Sequence, residues 1–343
     1  MSALSVSSGN ALSANEALDP VTIFVAPDGM ANASGTQADP ISFEKASGMI
    51  GARNQAVTLN LLPGLYKLKA PIKIVSRNGQ VLIRAFESGT VILDGAGTVA
   101  QALYLGGKDI SVEGLTIRNF SVNGILIQGG SNISISRNRL SNITSTNWSQ
   151  AAIHGLTFVR NVMVKGNIID GADYDGILFD SSATGVLENI SIERNTVLHT
   201  CRKVKDCGAI HASGRSPNSL GMKITGNIIR DFGGHDGLNK AIYLDDGLSG
   251  VVVQANRISG PGSYAFHVNG GADNVIKANE IDLRKIDGLL FYQHLRLNRS
   301  AMESNVFTGN RVTRSAPSTR GDVVYSGDTG KIDSSTTKYI HAR

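Results

Sequence analysis

The sequence predicts an all-β fold: a single-stranded, right-handed parallel β-helix, in which short strands stack coil upon coil. A phrase of the form apolar-x-Ile-x-x-Asn-x-apolar recurs at intervals of 23 to 32 residues, and a second short strand lies in each unit. Period-two alternation and turn residues mark both strands. Such units cannot bury an apolar face alone and must stack on their neighbours, which is the property of a solenoid.

The asparagine of the repeated phrase predicts how the coils are joined. One interpretation is a ladder of inward-pointing amides that form hydrogen bonds with the turn backbone of adjacent coils. The other is that each asparagine is a separate turn residue that tolerates a left-handed conformation. Seven amides in register favour the ladder. Adjacent coils are then about 4.8 Å apart. Right-handedness is expected because right-handed crossovers dominate parallel connections. The asparagines are Asn138, Asn167, Asn195, Asn227, Asn256, Asn279 and Asn310.

The repeats define one domain with two flanking segments. We expect residues 1–21 to be a flexible N-terminal segment, residues 22–315 to form the β-helix, and residues 316–343 to add a last coil or a tail. Weaker coils occur within residues 22–100. A short helix in DPISFEKASGMIGA is expected to cap the N-terminal end of the solenoid, as terminal units must.

Composition excludes several classes of protein. Glycine accounts for 39 of 343 residues and proline for only 8, which indicates tight turns rather than a linker. The net charge of +5 is mild, no cluster of basic and aromatic residues indicates a nucleic-acid partner, and no apolar run is long enough to cross a membrane. The N-terminus shows no classical signal peptide. Cys201 and Cys207 are equally compatible with a disulfide and with two free thiols.

One N-terminal segment carries a family resemblance. TIFVAPDGMANASGTQADPISFEKASGMI, followed by LLPGLYKLKAPIKI, resembles the start of pectate-lyase-like β-helix proteins, and with the repeats the resemblance covers about residues 22–315. It implies the fold but not the activity, because that superfamily includes polysaccharide lyases, alginate C5-epimerases, polygalacturonase-like hydrolases and phage tailspikes. Asp245 and Asp246 match the Asp-Asp of polygalacturonases, but the Gly-His-Gly and Arg-Ile-Lys elements do not follow, and the epimerase element Asp-Pro-His is absent.

Alignment of the second strands places polar side chains in two outward columns on one face. Each strand is aligned on its first inward apolar residue, after which side chains alternate between inside and outside. Crowded ionisable and aromatic groups on such a face form a groove suited to a polymer. The first column is His154, Leu178, His211, Tyr243, His267 and Leu290. The second column is Leu156, Asp180, Ser213, Asp245, Asn269 and Tyr292.

These columns predict an extracellular or cell-surface polysaccharide lyase that cleaves an acidic, uronate-containing polymer by β-elimination. His211 or His267 is the expected base and Tyr243 the expected acid, because imidazole and phenol are common general acid/base groups. Asn269 or Arg215 would neutralise the uronate carboxylate. The other expected substrate-binding residues are Lys240, His154, Asp246 and Tyr292.

The aspartates support a second hypothesis, an inverting glycoside hydrolase. Asp180 and Asp245 are two coils apart in one column, a separation compatible with that mechanism. A C5-epimerase, or a tailspike-like module that binds glycan without cleaving it, also stays open. No metal site is assigned, although Ca²⁺ is possible if five aspartates gather. They are Asp173, Asp175, Asp180, Asp245 and Asp246.

Two loops flank the columns and are expected to help build the binding face. Residues 214–221 contain Arg215, and residues 231–240 contain His235, Asp236 and Lys240. Trp148, the single tryptophan, could stack on a sugar ring or cover an edge.

Overall fold

The computed structural model describes residues 19–51, 55–145, 147–215, 220–233, 238–293, 302–315, 322–327, 329 and 331–341. Most of the N-terminal segment expected to be flexible, and His235 and Asp236 of the second loop, lie outside these residues.

Alternating, β-branched segments fold into short strands throughout the described chain. The first fifteen are β1 Val21–Met30, β2 Val57–Leu61, β3 Gly64–Lys67, β4 Ile72–Ser76, β5 Val81–Ala85, β6 Val91–Asp94, β7 Gln101–Glu113, β8 Thr116–Phe120, β9 Asn123–Ser136, β10 Arg139–Ile143, β11 Ala151–Lys165, β12 Ile168–Ala172, β13 Asp175–Ser181, β14 Val186–Glu193 and β15 Thr196–Leu198. The others are β16 Gly208–Gly214, β17 Lys223–Thr225, β18 Ile228–Arg230, β19 Lys240–Asp245, β20 Val252–Gln254, β21 Arg257–Ser259, β22 Gly262–Asn269, β23 Val275–Lys277, β24 Glu280–Asp282, β25 Ile286–Gln293, β26 Val306–Thr308, β27 Arg311–Arg314, β28 Val323–Ser326 and β29 Lys338–His341.

The strands stack in parallel to give a solenoid with three faces. The site face contains β13, β16, β19, β22, β25 and β28. The second face contains β14, β17, β20, β23 and β26, and the third face runs from β3 to β29. The long strands β7, β9 and β11 cross the corner between the site face and the second face. The predicted all-β solenoid is confirmed.

Inward side chains of equivalent strands stack into a continuous apolar core. On the site face, Ile177 pairs in register with Ile210, which pairs with Ile242, and the column continues through Phe266 to Leu290. All five side chains are buried. Because each coil covers the apolar face of the next, the core extends along the whole described solenoid.

The predicted asparagine ladder is confirmed. Each repeat asparagine from Asn138 to Asn279 donates its backbone N–H to the side-chain oxygen of the next one along the chain, at 2.9–3.0 Å. The side-chain amide donates to a carbonyl of the preceding coil, as Asn227 does to Ile192 at 2.9 Å. All seven are buried, so the ladder satisfies backbone groups that water cannot reach.

We expect Asn227→Ala to lower the free energy of unfolding by about 3 kcal/mol or more, because it leaves several buried polar groups without partners. The Asn227 side chain accepts two hydrogen bonds from Asn195 and donates to Ile192 and Asn256. The midpoint of urea unfolding measures the effect. Asn32→Ala, at an exposed turn position, is the control and should change stability by less than about 0.5 kcal/mol. Equal midpoints for the two variants would contradict a stabilising role for the ladder.

A short helix packs at the N-terminal end, as expected. Helix α1 spans Phe43–Ile50, and the hydroxyl of Ser42 accepts a hydrogen bond from the N–H of Lys45 to cap its first turn. Phe43, Ala46 and Ile50 join the solenoid core. Within the described residues, no helix is long and apolar enough to span a membrane.

Strand β25 of the site face departs from the predicted register by one residue. His267 pairs with Phe291 rather than Leu290, and Val268 pairs with Tyr292. Tyr292 therefore points into the core, where its hydroxyl donates to the Met302 carbonyl, and its predicted place on the substrate-binding face is wrong. The cause is the consecutive apolar pair before it, since Leu289 and Leu290 are both buried and alternation alone cannot tell which one begins the inward series.

Candidate functional site

The two outward columns lie side by side on the site face. Strand pairing places each member directly above its neighbour, and Asn269 joins the second column through a 2.6 Å hydrogen bond to Asp245. The first column is His154, Leu178, His211, Tyr243, His267 and Phe291. The second column is Leu156, Asp180, Ser213, Asp245 and Asn269.

Rings of the first column form a continuous stack. The ring centroids of His211 and Tyr243 are 4.4 Å apart, those of Tyr243 and His267 are also 4.4 Å apart, and Phe291 lies 4.6 Å beyond His267. All but Phe291 are almost fully buried although they point outward. The stack is therefore covered by other parts of the chain rather than being a solvated strip.

A disulfide-closed loop supplies part of this cover. Cys201 and Cys207 form a disulfide, which decides between the two states that the sequence leaves open. The loop between them carries Asp206, which forms an ion pair with Lys240 and accepts a hydrogen bond from the Tyr174 hydroxyl through its carbonyl. The ammonium of Lys240 lies 4.1 Å from the ring centre of Tyr243. Lys240 is completely buried, so it acts as part of the cover.

His211 is held between two carboxylates. Its Nδ1 lies 2.9 Å from Asp175, whose other oxygen accepts the Gly208 N–H at 2.7 Å, and its Nε2 lies 3.5 Å from Asp245. Burial opposes a charge on the ring, but Asp175 and Asp245 outweigh it and raise the pKa of His211 to about 10. An imidazole that is protonated at neutral pH cannot accept a proton, so this geometry does not support His211 as the base.

The other two histidines of the column have the opposite shift. Burial lowers the pKa of His154 to about 4 and lowers that of His267 well below its ordinary value. His267 lies 3.2 Å from Gln293 through Nε2, and no described residue bonds either ring nitrogen of His154. Burial, followed by the nearby Asp245 charge, raises the pKa of Tyr243. All three side chains are therefore neutral at physiological pH, and all three are covered.

Carboxylates of the second column open into a pocket of about 160 Å³. Asp180 and Asp245 line it together with His211, Arg215 and Trp148. Burial is the main cause that raises the pKa of Asp180. Burial also acts to raise the pKa of Asp245, yet His211, Asn269 and the Asp246 N–H hold that pKa well below the usual range. The pocket thus contains one carboxyl group whose pKa is raised and one whose pKa is lowered.

Further polar groups of the pocket are already engaged with each other. Asp246 accepts hydrogen bonds from Ser213 at 3.0 Å and from Arg215 at 2.8 Å. Asp180 accepts a weaker one from Ser149 at 3.4 Å. The structure therefore brings together the predicted residues Asp180, Arg215, Asp245 and Asp246, whereas His154 and Lys240 are buried beside the pocket rather than lining it.

The five aspartates considered for Ca²⁺ do not gather into a cation site. Asp173 forms ion pairs with Arg202 and Lys203, and Asp175 faces His211. No group of three or more His, Cys, Asp or Glu side chains within the described ranges is arranged to hold a metal ion. Because Asp173, Asp175 and Asp246 already face cations, the residues present do not fit Ca²⁺.

The sequence assigned no role here to Tyr174 or Asp206, and it considered Asp175 only as a possible Ca²⁺ ligand. Asp175 precedes Gly176 and Ile177, so the local sequence predicts a turn residue. Only the pairing of two coils brings it next to His211, 36 residues later. Asp206 is next to Cys207, and the cysteine spacing was the one signal that could have placed it near the column.

The sequence matches the family model described as "right handed beta helix region" over residues 97–218 and 209–337. The chain belongs to this right-handed β-helix family. This match also confirms the handedness that the crossover rule predicts. A comparison with curated protein sequences finds no match.

Solved structures with the same fold include several carbohydrate-active enzymes. An alginate lyase from Paenibacillus sp. str. FPU-7 has a TM-score of 0.58 at 10% identity, covering 92% of this chain and 99% of its own. A GH136 lacto-N-biosidase from Eubacterium ramulus has a TM-score of 0.64 at 12% identity, covering 94% and 68%. A GH87 α-1,3-glucanase catalytic unit from Streptomyces thermodiastaticus has a TM-score of 0.54 at 14% identity, covering 92% and 67%. At these identities the likeness concerns the fold.

Proposed function

We propose that this right-handed β-helix protein is a polysaccharide-cleaving enzyme that hydrolyses a glycosidic bond with inversion, using Asp180 as general acid and Asp245 as general base. The observation that carries the proposal is the opposite pKa shift of two carboxyl groups lining one pocket. Environments that separate two pKa values in this way distinguish an acid from a base.

The spacing of the two aspartates favours inversion. Asp180 pairs with Ser213 and Ser213 with Asp245, so the two lie two coils apart. Two coil spacings give about 9 to 10 Å between the strands. Inverting hydrolases separate their carboxyl groups by about 6.5 to 9.5 Å to admit a water molecule, whereas retaining enzymes use about 5 to 5.5 Å.

In this mechanism Asp180 gives its proton to the leaving glycosidic oxygen as the bond to the anomeric carbon breaks. Water attacks the opposite face of that carbon and gives a proton to Asp245. Asn269 and the Asp246 N–H orient the Asp245 carboxylate, and the charged His211 keeps it ionised. Asp175 in turn fixes the His211 ring, which makes it a positioning residue.

The charge balance of the pocket supports a substrate that is neutral at the cleaved bond. Each described cation at the site already faces a carboxylate: His211 faces Asp175, Arg215 faces Asp246 and Lys240 faces Asp206. Asp245 is an additional ionised carboxylate, and Asp180 supplies no positive charge to balance it. A uronate bound here would meet an excess of negative charge, which is unfavourable.

Trp148 supports a carbohydrate ligand. Its side chain is 75% exposed although it lines the pocket, and the neighbouring Ser149 contacts Asp180. An exposed indole presents a flat apolar face on which a sugar ring can stack.

We also infer an extracellular or cell-surface location. The Cys201–Cys207 disulfide supports it, because structural disulfides persist mainly in oxidising compartments.

The second candidate is a lyase that cleaves an acidic polysaccharide by β-elimination. It is favoured by Tyr243, whose hydroxyl interacts with the side chains of Asp245 and Asn269, and whose ring lies against the Lys240 ammonium. Because the pKa of Tyr243 is raised, its hydroxyl stays protonated, as an acid catalyst requires.

Product analysis separates these candidates. The protein is incubated with a panel of neutral and uronate-containing polysaccharides, and reducing ends and ultraviolet absorbance are followed together. We expect new reducing ends without an increase in ultraviolet absorbance. NMR of the first product should show that the anomeric configuration is inverted. An unsaturated uronate product would replace the hydrolase with the lyase. A change of uronate configuration without cleavage would indicate an epimerase, and binding without any product a tailspike-like module.

We expect kcat/KM to fall as the pH rises through the pKa of Asp180. The acid must be protonated and the base ionised, so activity persists between the lowered pKa of Asp245 and the raised pKa of Asp180. The pH dependence of kcat/KM for the wild type measures this fall at high pH. The residual activity of Asp180→Asn should no longer show it. Activity that keeps rising well above neutral pH would contradict the assignment and favour Tyr243 as the acid.

A further inference from the structure

The third face carries a groove that the proposed activity does not use. It lies on the outward side of β18, β21, β24 and β27 and extends along the 3-10 turn Leu283–Lys285. One section has a volume of about 310 Å³ and the next about 410 Å³, and both are lined by Ser259 and Asp282, so they are continuous. We call it the third-face groove.

Positive charge dominates this groove. Strand pairing stacks Arg257, Glu280 and Arg311 in one outward column, and Arg230 lies in the neighbouring column. The turn adds two more cations to the wall. The charged lining residues are therefore Arg230, Arg257, Arg284, Lys285, Arg311, Glu280 and Asp282.

Two of these cations are paired within the groove. Arg257 lies 3.1 Å from Glu280, and Arg284 holds Asp282 at 2.8 Å. Arg230 and Arg311 form no ion pair with any residue that the structure describes, and both are exposed. Cations of one sign crowded along a concave surface raise the local concentration of anions.

We infer that the third-face groove binds an acidic polysaccharide, independently of the cleavage on the site face. Arginine guanidinium groups match carboxylate groups with two parallel hydrogen bonds, which suits them to uronate side groups. Cations recur from coil to coil, so a linear polyanion running along the solenoid axis would meet several of them. A protein with both surfaces would be retained on an acidic matrix while its pocket cleaves another bond.

A nucleic acid fits this groove less well than a polyuronate. Proteins that bind single strands combine a basic groove with aromatic side chains on which bases stack. The charged and aliphatic residues that line the two described sections include no aromatic ring. Shape and chemistry therefore favour carboxylated sugar over bases.

The test measures binding of polygalacturonate, dextran and single-stranded poly-dT to the full chain by biolayer interferometry at increasing NaCl. The wild type should bind polygalacturonate and not dextran, with an affinity that falls as salt rises. The variant Arg230→Ser/Arg257→Ser/Arg311→Ser should bind at least about tenfold more weakly, since each arginine contributes a charge-assisted contact.

A matched control removes the same charge elsewhere. Arg137→Ser/Arg160→Ser/Arg194→Ser changes three exposed arginines outside the groove and should leave the affinity for polygalacturonate unchanged. Equal loss in both triple variants would show that net charge alone is responsible and would overturn the site. Tighter binding of poly-dT than of polygalacturonate would overturn the ligand class. Binding that survives in Asp245→Asn but not in the groove variant would separate this inference from the proposed cleavage.

Discussion

Asp245→Asn and Asp180→Asn should each lower kcat by about 10²- to 10⁴-fold on the natural polymer, and Asp180→Asn should do so with little change in thermal stability. Neither substitution removes an apolar contact, and amide and carboxyl groups have the same shape. Asp180 has one weak partner in Ser149. Asp245 faces the charged His211 as well as Asn269 and the Asp246 N–H, so its variant loses some stability and is assayed well below its unfolding temperature. The loss would therefore come from proton transfer rather than from unfolding.

The two variants should differ on an activated substrate. An aryl glycoside with a strongly acidic leaving phenol needs little protonation, so Asp180→Asn should recover most of its activity on it. Asp245→Asn should stay inactive, because the attacking water still lacks a base. Stopped-flow release of the phenol measures both rates.

Asp170→Asn is the control for a general effect of losing a carboxylate. Asp170 lies on the third face, where it contacts Arg139 and His199, and it does not line the pocket. Its variant should keep the wild-type rate. If Asp180→Asn and Asp245→Asn also keep that rate, the carboxylate assignment is wrong, and Tyr243→Phe becomes the decisive variant for the lyase candidate.

The fold could be predicted because every coil repeats the same physical problem. An inward amide must satisfy turn backbone at each corner, so the asparagine recurs and its spacing marks the coils. Alternation then correctly predicted that His211, Tyr243 and His267 stack on one another. It failed at Leu289 and Leu290, where two successive apolar residues are both buried and no local pattern distinguishes the register.

The chemistry of the site could be predicted only in part. Which side chains point outward depends on alternation along each strand, which the sequence shows. The protonation states of those side chains depend on partners that come from other coils. Asp175 converts His211 from a candidate base into a cation, and the loop closed by Cys201 and Cys207 covers Tyr243 through Asp206 and Lys240. Neither effect leaves a local signature in the sequence, so the histidines seemed more reactive, and the aspartates less so, than the structure indicates.

Asp175→Asn should destabilise the protein by about 3 to 5 kcal/mol at mildly acidic pH, because it leaves the buried His211 charge without its closest partner. Asp175 is fully buried, and its two oxygens bind His211 and the Gly208 N–H. Asparagine keeps the shape and one acceptor, so the change isolates the charge.

The sign of the pH dependence should reverse in this variant. In the wild type, the pKa of His211 is raised from 6.5 to about 10, so its stabilising contribution is complete below pH 6.5 and is lost as the pH rises through 10. Without Asp175, only the more distant Asp245 opposes the effect of burial. We therefore expect burial to lower the pKa of His211, so that stability is lost as the pH falls through about 6.5. The difference in unfolding free energy between the two proteins should therefore be largest in acid and shrink toward alkaline pH.

Urea unfolding at several pH values measures this, with Asp173→Asn as the matched control. Asp173 is equally buried, but its partners Arg202 and Lys203 are partly exposed and can regain water when the carboxylate is lost. We expect that variant to lose less stability and to keep the wild-type slope. The same pH dependence in Asp173→Asn would mean that any buried carboxylate near the loop has this effect, and that His211 is not the titrating group. A reversed slope confined to Asp175→Asn would identify the Asp175–His211 pair as the element that keeps a permanent positive charge beside Asp245.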